Sequence, residues 1–332
     1  MPNAEFQTKH FRIGHADIQI GSSDETLLAM SAVWLSEFEV EAAGAAEDAI
    51  RVSLIGYEQD EAIPFRIPAQ AELTFENDFS RYYRHEGLWI VDFHELGLMT
   101  VNRSAYEIIG HAYSNSCRES IWRFEDFMHP LLELLRQKGL YPHHAAAVSL
   151  DGNGLLLAGK SGRGKSTLSA DLLDRGFDFM ADDRCFLRAE ADGGVEMIGF
   201  YEPFKVFASN IAHIPALRSI EGLSAEERVK NRLDMRLYYP RQFKRTSRLN
   251  AILFPYWAPG EASRLEPMAP GEALVELLPL TLVCFDAVSA AAHFDFTGRL
   301  VSCLPSAKLM LGGDRENWYK LALDFLAQNR RL

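Results

Sequence analysis

Leu155-Leu156-Leu157-Ala158-Gly159-Lys160-Ser161-Gly162-Arg163-Gly164-Lys165-Ser166-Thr167-Leu168-Ser169-Ala170-Asp171-Leu172-Leu173 is the stretch on which the reading of this chain turns. An apolar run suited to a buried strand leads into three closely spaced glycines, and a segment with helical character follows. Gly159 through Ser166 meets the Walker A pattern G-x-x-x-x-G-K-[ST] at every fixed position. Each residue type has a task there. Glycine lets the backbone approach phosphate and turn successive N–H groups inward, while the start of the helix presents its amides to the anion. Lys165 is expected to neutralise the β and γ oxygens, and Ser166 to offer its hydroxyl to Mg²⁺. Gly159, Ser161, Gly162, Arg163, Gly164, Lys165, Ser166 and Thr167 form the expected nucleotide-binding set. The motif alone does not choose between kinase, ATPase and GTPase.

Working outward, Asp174-Arg175-Gly176 closes the helix and Phe177-Asp178-Phe179-Met180-Ala181 alternates as a strand, ending directly in Asp182-Asp183. Only one helix, one turn and one strand separate the acids from Lys165, so the chain is expected to return beside the loop. One carboxylate then binds metal, and the other accepts the proton of an attacking hydroxyl. Upstream, Tyr141-Pro142-His143-His144 opens a strand that turns at Asp151 to Gly154 and runs back as the Leu155 strand. This hairpin predicts that His144 lies near the acid pair, where an imidazole orients or tunes the base. Glu202 is a further candidate for Mg²⁺, against the alternative of an exposed turn acid.

His144, the Gly159–Ser166 loop, Arg175-Gly176 and Ala181-Asp182-Asp183 together resemble the HPr kinase/phosphorylase family over about residues 140 to 190. The resemblance implies an α/β C-terminal domain of the P-loop HPr kinase and phosphoenolpyruvate carboxykinase type, using ATP and Mg²⁺ to phosphorylate a serine hydroxyl. It implies Asp182 as the base, with His144 and Lys165 as its catalytic companions, Ser166 as a metal residue, and Asp183 as either a metal ligand or an acid supporting the site from behind. It also implies a homo-oligomer. Thr167 stands where these kinases usually carry Glu, and their downstream glycine-rich signature has no counterpart. In this the chain is similar to divergent HPr kinase-like proteins, some of which phosphorylate a serine of peptides such as lasso peptide precursors. The expected acceptor is a peptide, protein or small-molecule hydroxyl. A P-loop nucleotide hydrolase and an ATP-sensing regulatory module are the competing readings.

The rest of the chain sets the frame. Its 332 residues suggest two domains, 1–120 and 121–332. Alternation at Phe11–Ile13, Asp17–Ile20, Ile50–Ile55, Ala71–Phe75, Trp89–Phe93 and Leu98–Val101 predicts a β-rich N-terminal domain, with Gly21 to Asp24 read as a turn. A helix is expected from Phe124 to Leu135, with Arg136 and Lys138 favouring its C-terminal dipole. Forty-six acidic residues against 34 basic ones give a net charge of -12, which opposes binding to nucleic acid or to an anionic membrane. Four scattered cysteines, no apolar leader and no uninterrupted apolar span point to a cytoplasmic protein with reduced thiols. The basic segment from Arg228 to Arg248 is expected either as a solvated or intersubunit face or as a lid that clamps ATP phosphates or an acidic acceptor, tested through Arg232 and Arg236.

Overall fold

In the computed structural model, which describes residues 6–42, 46–119, 127–207, 224 and 230–329, the alternating segments of the first hundred residues form strands. By contacts the chain divides into two units, Met1–Lys138 with Val283–Ala290, and Gly139–Leu282 with Ala291–Leu332. The boundary expected at 120/121 and the helical steps from Phe124 to residue 126 lie outside the described residues.

The first unit is built on β1 (Gln7–Ile13), β2 (Ala16–Ser22), β3 (Glu39–Val40), β4 (Ile50–Tyr57), β5 (Glu72–Glu76), β6 (Arg81–His85), β7 (Leu88–Asp92), β8 (Gly97–Asn102) and β9 (Glu107–Tyr113). They form one mixed sheet in the order β3-β1-β2-β4-β9-β8-β7-β6-β5, with β2–β4 and β4–β9 parallel. Every second residue is core: Phe11 and Ile13, Ile18 and Ile20, then Ile50, Val52 and Leu54. The Gly21 to Asp24 break is more than a turn. Asp24 caps the helix Glu25–Trp34, its Oδ1 accepting from the Leu27 amide at 3.0 Å.

Helix His129–Gln137 differs from expectation at Arg136. The guanidinium does not serve the helix end from solvent but is fully buried, 3.3 Å from the equally buried Glu133. Burial pushes Glu133 up and Arg136 down from their ordinary values, each against the attraction of the other. Lys138 instead meets Asp48 and lies over the Tyr106 ring.

The second unit carries β10 (Tyr141–His143), β11 (Ala145–Leu150), β12 (Asn153–Ala158), β13 (Asp178–Ala181), β14 (Arg184–Ala189), β15 (Val195–Phe200), β16 (Phe204–Phe207), β17 (Lys230–Leu233), β18 (Thr246–Trp257), β19 (Arg264–Pro267) and β20 (Ser306–Leu311). Its large mixed sheet runs β10-β14-β15-β18-β12-β11-β13, with β20 parallel to β18 and β19 on its far side. Strands β12 and β18 are buried on both faces. Leu155, Leu157 and Leu253 meet helices Lys165–Asp174 and Glu316–Gln328, while Leu156, Ala158 and Phe254 meet Leu277, Phe296 and Leu300. A strand between two helical layers reads as a continuous apolar run, which is why Leu155-Leu156-Leu157-Ala158 does not alternate.

One feature of this sheet positions the site. β10 lies at one end of the hydrogen-bonded order and β11 near the other, yet His144 alone joins them; β13 and β14 are likewise joined only by Asp182-Asp183. Connections so short require the sheet to turn a corner, with strands passing from one layer to the next. Close approach at the bend is visible at Gly199, where a Cβ would stand 2.3 Å from the Met180 carbonyl oxygen.

Candidate functional site

The Lys165–Asp174 helix begins at Gly164, which is left-handed at φ +101°, and Leu168 N donates to Gly164 O at 2.9 Å. The preceding amides have no earlier helical carbonyl to meet, so they face the turn in front of the helix. Lys165 is nearly buried, and its Nζ donates to Gly159 O at 2.7 Å, closing the loop on itself. Gly164 and Lys165 line one wall of a cleft of ≈ 450 Å³, together with Ser161, Gly162, Ser166 and Thr167. Gly159 and Arg163 stand outside its lining; the Arg163 guanidinium lies 3.9 Å over the Tyr256 ring.

His144, Asp182 and Asp183 line the same cleft, brought there by the two short connectors. The two acids face different neighbours. Asp182 is 3% exposed, accepts from the Ser166 hydroxyl, and takes the Lys205 amide at 3.3 Å. Its Oδ1 is buried with no hydrogen-bond partner. Burial, with Asp183 adding to it, pushes the Asp182 carboxyl up to about 6. Asp183 turns the other way. Its Oδ1 is 3.1 Å from His144 Nδ1 and its Oδ2 is 2.8 Å from Lys205 Nζ. Burial opposes its charge, but His144 and Lys205 outweigh it and bring Asp183 below the usual carboxylate range.

Burial pushes His144 below the ordinary imidazole value, against the pull of Asp183. A neutral ring here has one consistent tautomer: Nδ1–H donates to Asp183, and Nε2 accepts from Lys165 Nζ at 3.4 Å. Lys165, His144 and Asp183 thereby form a continuous polar chain from the loop to the acid turn. Asp183, expected either as a metal ligand or as an acid supporting the site, has both oxygens engaged. Glu202 is 5% exposed and lies outside the cleft lining, 3.2 Å from Lys205 Nζ and 3.5 Å from Arg184 Nη1.

Sequence comparison meets the same family. No family model matches the chain. HPr kinase/phosphorylase of Chlorobium chlorochromatii is 34% identical over 82 residues, 24% of this chain and 23% of that protein. The Chlorobium phaeovibrioides protein of the same name is 35% identical over 78 residues, 24% and 22% of the two chains. This chain is distantly similar to HPr kinase/phosphorylase over about 24% of its length. The similarity spans less than a quarter of the length of those relatives. The solved HPr(Ser) kinase/phosphatase of Coxiella burnetii aligns at 15% identity and a TM-score of 0.30, over 56% of this chain and 94% of that one.

What the HPr kinase-like reading of the sequence missed is Lys205. It sits on β16 between buried Phe204 and Val206, so alternation turns its side chain away from their core and into the cleft, where Val206, Phe207 and Trp257 complete the lining. A lone lysine flanked by two core residues was the available signal. Of the basic segment, Arg228 lies outside the described residues. Arg236 is tied to Asp234 at 2.8 Å and stacks on Tyr201, and Arg248 pairs with Asp192, while Arg232 is in register with Lys205. Neither clamp residue lines the cleft. No helix among the described residues is long and apolar enough to cross a membrane.

Proposed function

We propose that this chain is an ATP- and Mg²⁺-dependent phosphotransferase that moves the γ-phosphoryl group to a hydroxyl, a serine of a peptide or protein. The observation that carries the reading is the meeting of the Walker A residues and Asp182 in one cleft, with Asp182 bonded to Ser166 and left with one open acceptor atom. A general base needs an acceptor atom within reach of the proton and an affinity near the working pH. Asp182 has both.

The donor set suits Mg²⁺, since the Ser166 hydroxyl beside a carboxylate offers the hard oxygens this ion takes. Among the described residues no three His, Cys, Asp or Glu side chains converge on a metal position, and phosphate oxygens and water would join the Ser166 hydroxyl around the ion. The Ser166 hydroxyl would hold Mg²⁺, which would supply positive charge against the phosphates. The chain does the rest. Amides at the helix start and Lys165, released from Gly159 O, cradle the phosphates. Asp182 takes the proton of the acceptor hydroxyl as its oxygen bonds to the γ-phosphorus and the bond to ADP breaks. Neutral His144 fixes Asp183 on one side and Lys165 on the other, which keeps loop and acid turn in register.

The test incubates the purified full chain with ATP, Mg²⁺ and serine-containing peptides or small-molecule alcohols, following acceptor mass. Phosphorylated acceptor from the wild type, none from Asp182→Asn, and loss of nucleotide binding in Lys165→Ala are expected. Phosphate release with no acceptor modified would make the chain a hydrolase. Tight ATP binding without turnover would make it a sensor.

A further inference from the structure

Three acids face this region, and one pair of them already holds a cation. Lys205 Nζ lies 2.8 Å from Asp183 Oδ2 and 3.2 Å from Glu202 Oε2, bridging carboxylates from two separate turns of the chain. Of the other oxygens of that pair, Asp183 Oδ1 faces His144 Nδ1 at 3.1 Å, while Glu202 Oε1 stands 3.5 Å from Arg184 Nη1 without a hydrogen bond. Asp182 differs in its partner: it is the acid that meets Ser166, and its Oδ1 is buried with no hydrogen-bond partner.

We propose that Lys205 is the resident cation of Asp183 and Glu202, filling the place a second divalent ion would bridge and limiting the cleft to one ion on the Ser166 side. Two carboxylates brought together out of water repel each other unless a positive charge lies between them. Divalent ions answer that need elsewhere; here an ammonium fixed to β16 answers it. The Lys205 backbone amide also donates to Asp182 at 3.3 Å, so the residue holding the charge is tied to the turn carrying the acids. Buried Phe204 and Val206 on either side anchor the strand. A divalent ion entering between Asp183 and Glu202 must expel this ammonium and also sit close to Arg184. The inference deepens the phosphotransfer reading, on which it rests only for the position of the first ion.

The experiment counts Mn²⁺ ions on the full chain by electron paramagnetic resonance, comparing wild type, Lys205→Met and Lys205→Arg. Without nucleotide, Lys205→Met is expected to bind Mn²⁺ at least about tenfold more tightly than wild type, because two carboxylates are freed for a cation, whereas Lys205→Arg stays at the wild-type level. With a saturating non-hydrolysable ATP analogue, the wild type should hold one Mn²⁺ per chain and Lys205→Met two. Two ions on the wild type, or no gain in Lys205→Met, overturns the proposal. Should Lys205→Met not fold, the wild-type count decides alone. A wild type that takes up no nucleotide sinks the phosphotransfer reading, and the nucleotide-free comparison still decides the role of Lys205.

Discussion

Replacing Asp182 by Asn should make the protein more stable at neutral pH while abolishing phosphoryl transfer. The Asp182 carboxyl is pushed up to about 6, from an ordinary 3.8, chiefly because burial disfavours its charge. For a carboxylate raised in the folded state the linkage runs against stability. Below about pH 4 the group is protonated in both folded and unfolded chains and contributes nothing. Between about pH 4 and 6 the unfolded chain ionises first, so stability falls as pH rises, and above about 6 the loss is complete at about 3 kcal/mol. Asn does not ionise and escapes this loss, although its amide nitrogen, placed where Oδ1 has no partner, costs about 1 kcal/mol at every pH. Urea unfolding of both proteins from pH 4 to 8 isolates the effect, since every other titrating group is common to the two. The variant should be slightly weaker at pH 4 and about 2 kcal/mol stronger at pH 8. In the wild type, kcat/KM should rise as pH passes upward through about 6, when the base loses its proton. A stability difference that stays flat across this range would refute the account of Asp182 as a buried carboxylate held charged for its chemistry.

Other substitutions test other parts. Gly164→Ala places a side chain at φ +101° with its Cβ 2.7 Å from Leu311 Cδ1, and should cut ATP binding measured by calorimetry at least about tenfold while far-ultraviolet circular dichroism stays unchanged. Glu133→Ala leaves the Arg136 guanidinium buried without its carboxylate and should cost about 3 to 5 kcal/mol in denaturant unfolding of the first unit. Gly199→Ala drives a methyl group against the Met180 carbonyl, so a drop of several degrees in Tm is expected, with ATP protecting less than in the wild type. His144→Gln should keep ATP binding within a few-fold yet lower kcat, because a neutral amide still reaches Asp183 but no longer links it to Lys165 with ring geometry.

The site was legible in the sequence where spacing leaves the chain little choice. A strand, a glycine turn and a helix fix where Lys165 and Ser166 stand, and a single returning strand brings Asp182-Asp183 back to them. His144 was placed near the acids by the same economy of length. What spacing cannot give is which way each adjacent acid faces. The split between Asp182 on Ser166 and Asp183 on His144 follows from the bend of the sheet, which depends on strands far apart in sequence. Lys205 stayed hidden because a lysine in an alternating strand ordinarily points to water. Arg136 was misplaced for a related reason: a charge in the last turn of a helix reads as solvated, and only the tertiary burial of Glu133 beside it reverses that. Strand β6, Arg81-Tyr82-Tyr83-Arg84-His85, carries too little alternation to be seen, since Tyr82 alone is buried.

The linker between β13 and β14 has consequences for how this site can vary. The two residues of that linker form a bend, which hands one acid to Ser166 and the other to the imidazole. An inserted residue would lengthen the connection between the strands and draw both carboxylates away from their partners. Diversification of such a protein is therefore confined to segments away from the bend, and under the proposed phosphotransfer a change of acceptor would be written into the walls of the cleft, around Phe207 and Trp257, while the acids keep their partners.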